Sequence, residues 1–336
     1  MNWEDVAGQA AAVNVLRGTL ATGRVAHAYL FTGPRGVGKT TAALVFAAGL
    51  LCASPEVHHR PCGRCDACRD MAAARHPDLH RVEPDGESIR IEQVRHLQRQ
   101  AALRPAAGPR QLFLIEPADA LGEAAQNALL KVLEEPPGST VFVLIAHQTT
   151  PLLPTVVSRC VPVRFGRLPR DVAAAILRER FQYGQAAELG AALGDGSIWQ
   201  ATRWTPDALQ ERRAKAVALW DALAAGGPPA AVEQAQAWHE RRDELLETLE
   251  LLQLWLRDLL VCRQAAGAAG LGLGLVNVDQ TDELTQRAQR TPEGAVLRAL
   301  EAILAFRRQV QQNVNLRTAA DVLFLDLAAA LGAQKG

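Results

Sequence analysis

The sequence lacks a net charge, and this limits how it can bind nucleic acid. Its 336 residues carry 36 basic and 36 acidic side chains, so the formal net charge is zero. A protein that grips DNA alone through a large basic face relies on many contacts between cations and phosphates. The balance of charge argues against that class of protein, although it leaves room for a share in a composite DNA site.

The sequence also lacks an apolar run of about 20 residues, the length needed to cross a bilayer as a helix. Residues 1–5 read Met-Asn-Trp-Glu-Asp, which is not typical of a signal peptide. We therefore expect a cytoplasmic protein without a membrane partner. Disulfides are rare in that reducing compartment, so clustered cysteines there indicate a metal site.

Four of the six cysteines lie close together in the sequence: Cys52, Cys62, Cys65 and Cys68. Four thiolates suit tetrahedral Zn²⁺, and with every ligand a thiol no coordination position stays open. The pattern predicts a structural zinc ion, and the alternative is a set of free or redox-active thiols. His58, His59 and His76 lie nearby, and we expect them to be solvated loop residues and not ligands.

A complete phosphate-binding pattern occupies residues 33–40, which read Gly-Pro-Arg-Gly-Val-Gly-Lys-Thr. In such a loop, backbone N–H groups wrap the phosphates, the lysine reaches the β- and γ-phosphates, and the threonine hydroxyl holds Mg²⁺. An apolar segment, residues 28–31, precedes the loop as a predicted strand, and residues 40–51 follow it as a predicted helix. The predicted contacts to ATP or ADP with Mg²⁺ come from Gly33, Gly36, Gly38, Lys39 and Thr40. The alternative is a vestigial loop kept for its turn.

The order of the predicted elements indicates an α/β P-loop domain with a parallel sheet flanked by helices. Residues 112–115 and 141–145 are short, continuous apolar runs typical of buried parallel strands, and residues 124–135 between them show helical periodicity. Beyond residue 168 the strand signal disappears. Three short helices are predicted at 171–180, 186–193 and 198–203. Thr205 and Pro206 are typical of the start of a helical region, which glycine-rich stretches interrupt at 226–229 and 267–274.

The second strand lacks the acid that would drive hydrolysis. In a nucleotide-hydrolysing chain of this fold this strand ends in Asp-Glu, where the Asp orders Mg²⁺ and the Glu polarises the attacking water. Here Glu116 occupies the metal-side position, and Pro117, which has no side-chain base, occupies the other. Asp119 lies two residues further on, and we expect it to point elsewhere. The sequence predicts very slow or absent hydrolysis.

Several longer segments resemble the bacterial clamp-loader family of AAA+ proteins. They are residues 6–9 ahead of 27–31, residues 127–137 followed by Ser-Arg-Cys at 158–160, and residues 312–317. The cysteine cluster between the loop and the second strand is another mark of the family. The resemblance implies a P-loop AAA+ domain at 1–167 with an inserted zinc module at 52–68, a small three-helix lid at 168–205, and an all-α collar domain for oligomerisation at 206–336.

The resemblance also implies a function in DNA replication, as a non-polymerising subunit of the DNA polymerase III holoenzyme. Its expected partners are the gamma/tau and delta subunits of the loader, the sliding clamp and, through the assembled complex, primer–template DNA. The family contains motor subunits and a stationary subunit. Residues 76–84 are similar to the stationary type, Pro117 replaces the catalytic Glu that the motor retains, and the chain ends at 336 without the long extension of tau-type subunits.

Two further departures from the motor subunits point the same way. Residues 146–148, Ala-His-Gln, stand where the motor carries a threonine that senses the γ-phosphate, and Trp199 stands where the lid carries a sensing arginine. The side chain of His147 or Gln148 could donate a hydrogen bond to a phosphate there, but an ordinary loop at the end of the strand is the simpler interpretation.

Arg159 is the residue to which the resemblance assigns a catalytic part. In the family this arginine completes the ATP site of a neighbouring subunit, where its guanidinium stabilises charge developing on the γ-phosphate. The alternative for the residue is a surface ion pair. The alternatives for the chain are an active gamma/tau-like ATPase and, more remotely, a small-molecule P-loop kinase.

Overall fold

The computed structural model describes residues 1–265, 274–312 and 314–332. Its contacts group the chain into two compact units, residues 1–172 with 195–200, and residues 173–194 with 201–336. Most of the glycine-rich stretch at 267–274 and Asn313 of the predicted collar motif lie outside the described residues. Within the described part of the chain, no helix is long and apolar enough to cross a membrane.

The first unit contains a five-stranded parallel sheet with the order β2-β3-β4-β1-β5. The strands are β1 Ala28–Thr32, β2 Leu79–Val82, β3 Gln111–Ile115, β4 Thr140–Ala146 and β5 Val161–Arg164. Three of them coincide closely with the predicted strands, and β2 and β5 were not predicted. In β5 only Val163 is buried, so this edge strand has no continuous apolar run to reveal it.

Fourteen α-helices are described in the chain. They are α1 Ala10–Thr22, α2 Lys39–Leu51, α3 Asp66–Ala72, α4 Ile91–Ala101, α5 Glu123–Glu134, α6 Pro154–Val157, α7 Arg170–Arg180, α8 Ala187–Gly194, α9 Ile198–Ala201, α10 Pro206–Trp238, α11 Arg242–Ala265, α12 Thr281–Arg290, α13 Glu293–Gln311 and α14 Leu316–Gly332. Helix α9 is shorter than the predicted 198–203. Arg95 and Arg99 lie on α4, and Arg104 lies beyond its end.

Each face of the sheet is covered by its own apolar core, because successive side chains of a buried strand point to opposite faces. On one face Leu114 and Phe31 pack with apolar residues of α1 and α2. On the other, Phe113 and Leu30 pack with apolar residues of α4 and α5. The predicted fold class, a parallel sheet flanked by helices and followed by a helical region, is confirmed.

The regular elements of the second unit are all helices within its described residues. Helix α10 packs against α14 and α11, and α13 packs against both α11 and α14. Thr205 caps α10 by accepting a hydrogen bond from the Ala208 N–H, with Pro206 at the first helical position as predicted. The predicted interruption falls inside this helix at Gly227, where φ is +56° and the helix kinks. The division at residues 167 and 205 stays a prediction.

Candidate functional site

The phosphate loop joins the end of β1 to the start of α2. Gly33, Gly36 and Gly38 have φ values of +148°, +75° and +97°, a region that favours glycine. A Cβ at Gly33 would lie 2.2 Å from the Phe165 carbonyl oxygen, whereas a Cβ at Gly38 would meet no atom within 4 Å. The loop therefore leaves open space beside Gly38, directly before the N-terminus of α2, where phosphate groups bind in loops of this kind.

Lys39 is the most buried charged group of the loop, with 3% of its surface exposed. Its Nζ donates to the carbonyl oxygens of Gly33 at 2.7 Å and Pro34 at 2.6 Å, and lies 3.2 Å from His147 Nδ1. Burial lowers the pKa of Lys39 to about 8, against the opposing charge of Glu116. Burial, together with the Lys39 charge, also lowers the pKa of His147. The ammonium is thus held inside the loop by acceptors of the chain itself.

The two acids that follow β3, Glu116 and Asp119, lie beside Lys39 and the end of the phosphate loop. The Thr40 hydroxyl donates to Glu116 Oε1, and Arg81 Nη2 lies 4.0 Å from Glu116 Oε2. Asp119 Oδ1 accepts the backbone N–H of His147 at 3.1 Å. The expectation that Asp119 points elsewhere is wrong, because its carboxylate faces the end of β4 and acts on the charges of both Lys39 and His147.

The segment 195–200 lies directly on the phosphate loop. The Ser197 hydroxyl donates to the Arg35 carbonyl at 2.7 Å, and the Ile198 N–H donates to the Gly36 carbonyl at 3.0 Å. The Arg35 guanidinium carbon lies 4.3 Å from the centre of the Trp199 ring, a cation–π contact. The residue at the expected position of a sensing arginine is therefore an aromatic that holds the loop by stacking.

Gln9 is a site residue that sequence reasoning missed. Its buried side-chain amide donates to the carbonyls of Val37 at 3.1 Å and Gly166 at 2.8 Å, and it accepts the Gly166 N–H. The amide thus links the phosphate loop to the chain that follows β5. Gln9 belongs to one of the segments quoted for the family resemblance, but its position before α1 gives no signal of a contact 157 residues away.

The donor set of the loop fits a nucleotide phosphate. The three glycines hold the positive φ values that such a loop needs, and Lys39 and Thr40 have the side-chain chemistry for phosphate and Mg²⁺. Glu116 supplies the one carboxylate beside Thr40 in the described contacts. Pro117 follows it, so no base stands at the usual catalytic position.

The four clustered cysteines meet at the other end of α2. Cys52 follows the last residue of that helix, and Cys65 caps α3. All four sulfur atoms lie within 4.8 Å of one another, and the Cys62–Cys68 and Cys52–Cys65 pairs are each 4.0 Å apart. Zinc–sulfur bonds of about 2.3 Å in a tetrahedron separate the sulfurs by roughly 3.8 Å, so this arrangement fits Zn²⁺.

Backbone N–H groups surround these sulfurs. Cys52 Sγ accepts from Ser54 and Cys62, and Cys65 Sγ accepts from Cys68. Bonds from the backbone of Arg64 and Cys65 lower the pKa of Cys62 to about 6, whereas burial raises the pKa of Cys52 and of Cys68. Such bonds stabilise thiolates, the form that binds metal.

The histidines near the cluster lie outside it. His58 and His59 are exposed, in agreement with the sequence prediction. His76 is buried, which corrects the expectation of a solvated residue, and its Nδ1 accepts the Asp78 N–H.

Arg159 lies between α6 and β5, with 34% of its side chain exposed. Its Nη2 donates to Glu134 Oε1 at 2.6 Å, and its Nη1 donates to the Thr155 carbonyl at 2.9 Å. Within the described residues Arg159 therefore forms the ion pair that was the alternative for it. The geometry leaves its part in a neighbouring subunit untested.

Two family models match this chain. The model described as "DNA polymerase III, delta subunit" matches residues 8–169, and "DNA polymerase III, delta subunit, C terminal" matches residues 206–319. The DNA polymerase III subunit delta′ of Pseudomonas aeruginosa is 36% identical over 299 residues, covering 87% of this chain and 88% of that protein. The delta′ subunit of Bacillus subtilis is 30% identical over 318 residues and 94% of each.

A motor-type relative matches over a smaller part of its length. The tau subunit of Bacillus subtilis is 31% identical over 307 residues, covering 83% of this chain but 53% of tau. Among solved structures, the Bacillus subtilis clamp loader delta protein covers 94% of this chain and 99% of its own, at 13% identity and a TM-score of 0.32. That score adds nothing to the assignment.

Proposed function

Since the chain belongs to the DNA polymerase III delta′ subunit family, we propose that it is the stationary subunit of a clamp loader. In this role it completes a hetero-oligomeric ring and helps to load the sliding clamp onto primed DNA. The observation that carries the proposal is the combination of a retained phosphate cradle with Pro117 in the position of the catalytic base. A subunit with that combination binds nucleotide without turning it over at a motor's rate.

The catalytic contribution is Arg159, acting in trans. Two observations support this proposal: the Ser-Arg-Cys sequence at 158–160 resembles the family's motif, and the Arg159 guanidinium is partly exposed. A fixed guanidinium stabilises the charge that develops on a transferred phosphoryl group. The neighbour is a gamma/tau subunit, and the delta subunit is a further member of the complex.

The cofactors follow from the two ends of α2. One structural Zn²⁺ binds to the four clustered cysteines, and ATP or ADP with Mg²⁺ binds at residues 33–40. Lys39 and Thr40 hold the phosphates and the metal, and Glu116 orders Mg²⁺ through water.

The chain works in the cytoplasm, where it reaches primer–template DNA through the assembled loader.

The test is the Arg159→Ala variant in the loader assembled from full-length subunits. The expected result is a fall of at least about tenfold in the clamp-dependent ATPase, because an arginine finger contributes a factor on the order of 10³ or more at its own site. The free variant should melt as the wild type does. Arg24→Ala, at another exposed arginine, is the matched control. An unchanged ATPase in the Arg159 variant refutes the trans role.

The second candidate is an active gamma/tau-like ATPase, and the position of Asp119 favours it. This carboxylate faces His147 and Lys39, so it is the described acid that would take over from the missing base. Turnover by the isolated chain at a motor's rate, abolished by Asp119→Ala, would establish this candidate in place of the first. Lys39→Ala controls for contaminating ATPases.

A further inference from the structure

The ion pair of Arg159 joins two elements that are each held firmly. Glu134 is the last residue of α5, where its neighbour Leu133 is buried in the core. Arg159 follows α6, which the fully buried Val156 anchors to the same core. The core therefore holds the backbone beside each partner, and the two side chains meet at 2.6 Å.

A buried amide fixes the spacing between these two elements. Gln126 of α5 donates to the Pro151 carbonyl at 3.0 Å and accepts the Leu153 N–H at 2.7 Å, immediately before α6. Two hydrogen bonds from one buried side chain keep α6 in register with α5. Glu134 consequently meets Arg159 in a defined geometry.

An arginine that acts on another subunit must be held in place while some of its N–H groups remain available for that subunit. An unrestrained arginine side chain loses rotamer entropy when it engages a target. In the described contacts Arg159 uses two N–H groups, one on Glu134 and one on Thr155. A guanidinium carries five, which leaves three for an anionic oxygen.

We propose that Glu134 is the positioning residue for Arg159. It holds the guanidinium by one edge and presents the rest to the phosphate of the neighbouring subunit. The inference rests on the proposed trans role of Arg159. Its contribution is mainly to geometry, because exposed ion pairs add little to the stability of the fold.

The adjacent residue supplies a matched control. Glu135 is exposed, carries the same charge, and forms no described ion pair. Glu134→Gln and Glu135→Gln therefore change the local charge equally, but only the first replaces the carboxylate that pairs with Arg159 by a neutral amide, which is a weaker acceptor. A general electrostatic effect at the rim would appear in both variants.

The experiment measures kcat and KM of the clamp-dependent ATPase in the fully assembled loader. Glu134→Gln should lower kcat by about threefold with KM changed by less than about twofold, because misplacing a catalytic group by about 1 Å costs up to roughly 10²-fold. Glu135→Gln should behave as the wild type. In an Arg159→Ala background, Glu134→Gln should have no further effect, since the group it positions is gone.

Three outcomes overturn the inference. If Arg159→Ala is impaired and Glu134→Gln is not, the trans role stands and the positioning role falls. If Glu134→Gln costs as much without Arg159 as with it, Glu134 acts by another route. If Arg159→Ala itself has no effect, the proposed function fails and the inference fails with it.

Discussion

Helix α2 carries a candidate site at each end, and the two sites satisfy their polar groups in opposite ways. At its N-terminus, Lys39 and Thr40 donate to oxygen acceptors of the chain, so the loop is held together by its own bonds. At its C-terminus, four thiols face one another with N–H···S bonds as their main polar contacts. Ionised thiolates at such distances repel, and a cation relieves that repulsion.

From this difference we infer that folding depends on the two ligands to different degrees. The phosphate loop keeps its shape through bonds that do not involve a ligand, so nucleotide adds function to a formed site. The cysteine module brings four thiols together. Once they are ionised, their mutual repulsion has to be offset by a bound metal ion. We therefore expect the fold to depend strongly on zinc and weakly on nucleotide.

The largest expected effect is the loss of the metal ligand in Cys65→Ser. Removing one of four thiolates should abolish tight zinc binding and destabilise the first unit by several kcal/mol, lowering the melting temperature by about 10 °C. Elemental analysis and thermal melts measure both effects. Cys262→Ser is the control, because that buried cysteine lies outside the cluster and its variant should retain one zinc per chain. If the wild-type protein contained far less than one zinc ion per chain, the expected dependence of the fold on zinc would be wrong.

A smaller effect is expected on the free energy of unfolding when two glycines of the phosphate loop are replaced by alanine. A Cβ at Gly36 would lie 2.4 Å from the Trp199 backbone nitrogen, at a φ of +75°, so Gly36→Ala should cost roughly 2–3 kcal/mol. Gly38→Ala meets no atom within 4 Å and should cost only the backbone strain, about 1 kcal/mol. Denaturant titration compares the two, and equal losses of stability would show that segment 195–200 does not rest on the loop. Gly38→Ala should nevertheless weaken ATP binding more than its stability suggests, because its methyl group enters the phosphate space.

The smallest expected effect is a pH dependence of nucleotide affinity. The pKa of Lys39, lowered to about 8, lies below the ordinary lysine value, so the ammonium loses its proton as pH rises through 8. Affinity for ATP should fall roughly eightfold between pH 7.5 and 9, whereas a lysine with the ordinary pKa would stay charged throughout. His147, with its lowered pKa, stays neutral over that range.

Calorimetric titration with ATP at several pH values measures this dependence. A Lys39→Arg variant keeps its charge across the range and serves as the control. An affinity that stays flat to pH 9 in the wild type would show that the buried ammonium is not the group that holds the phosphates.

Much of the fold followed from local patterns. The apolar runs of β1, β3 and β4 and the periodicity of α5 are properties of consecutive residues, and the structure confirms them within one or two positions. The missed strands β2 and β5 are edge strands with mixed burial, so their strand character comes from pairing with β3 and β1 and not from their own composition.

Residue type and spacing alone identified the chemical groups of this protein: a phosphate loop at 33–40, four clustered thiols, a proline in place of a catalytic base, and an arginine at 159. Tertiary structure alone decided what those groups touch, as when Ser197 bonds Arg35 across 162 positions and Glu134 meets Arg159 across 25. The physical reason is that such contacts arise from the packing of distant elements on a common sheet, and no local pattern encodes that packing.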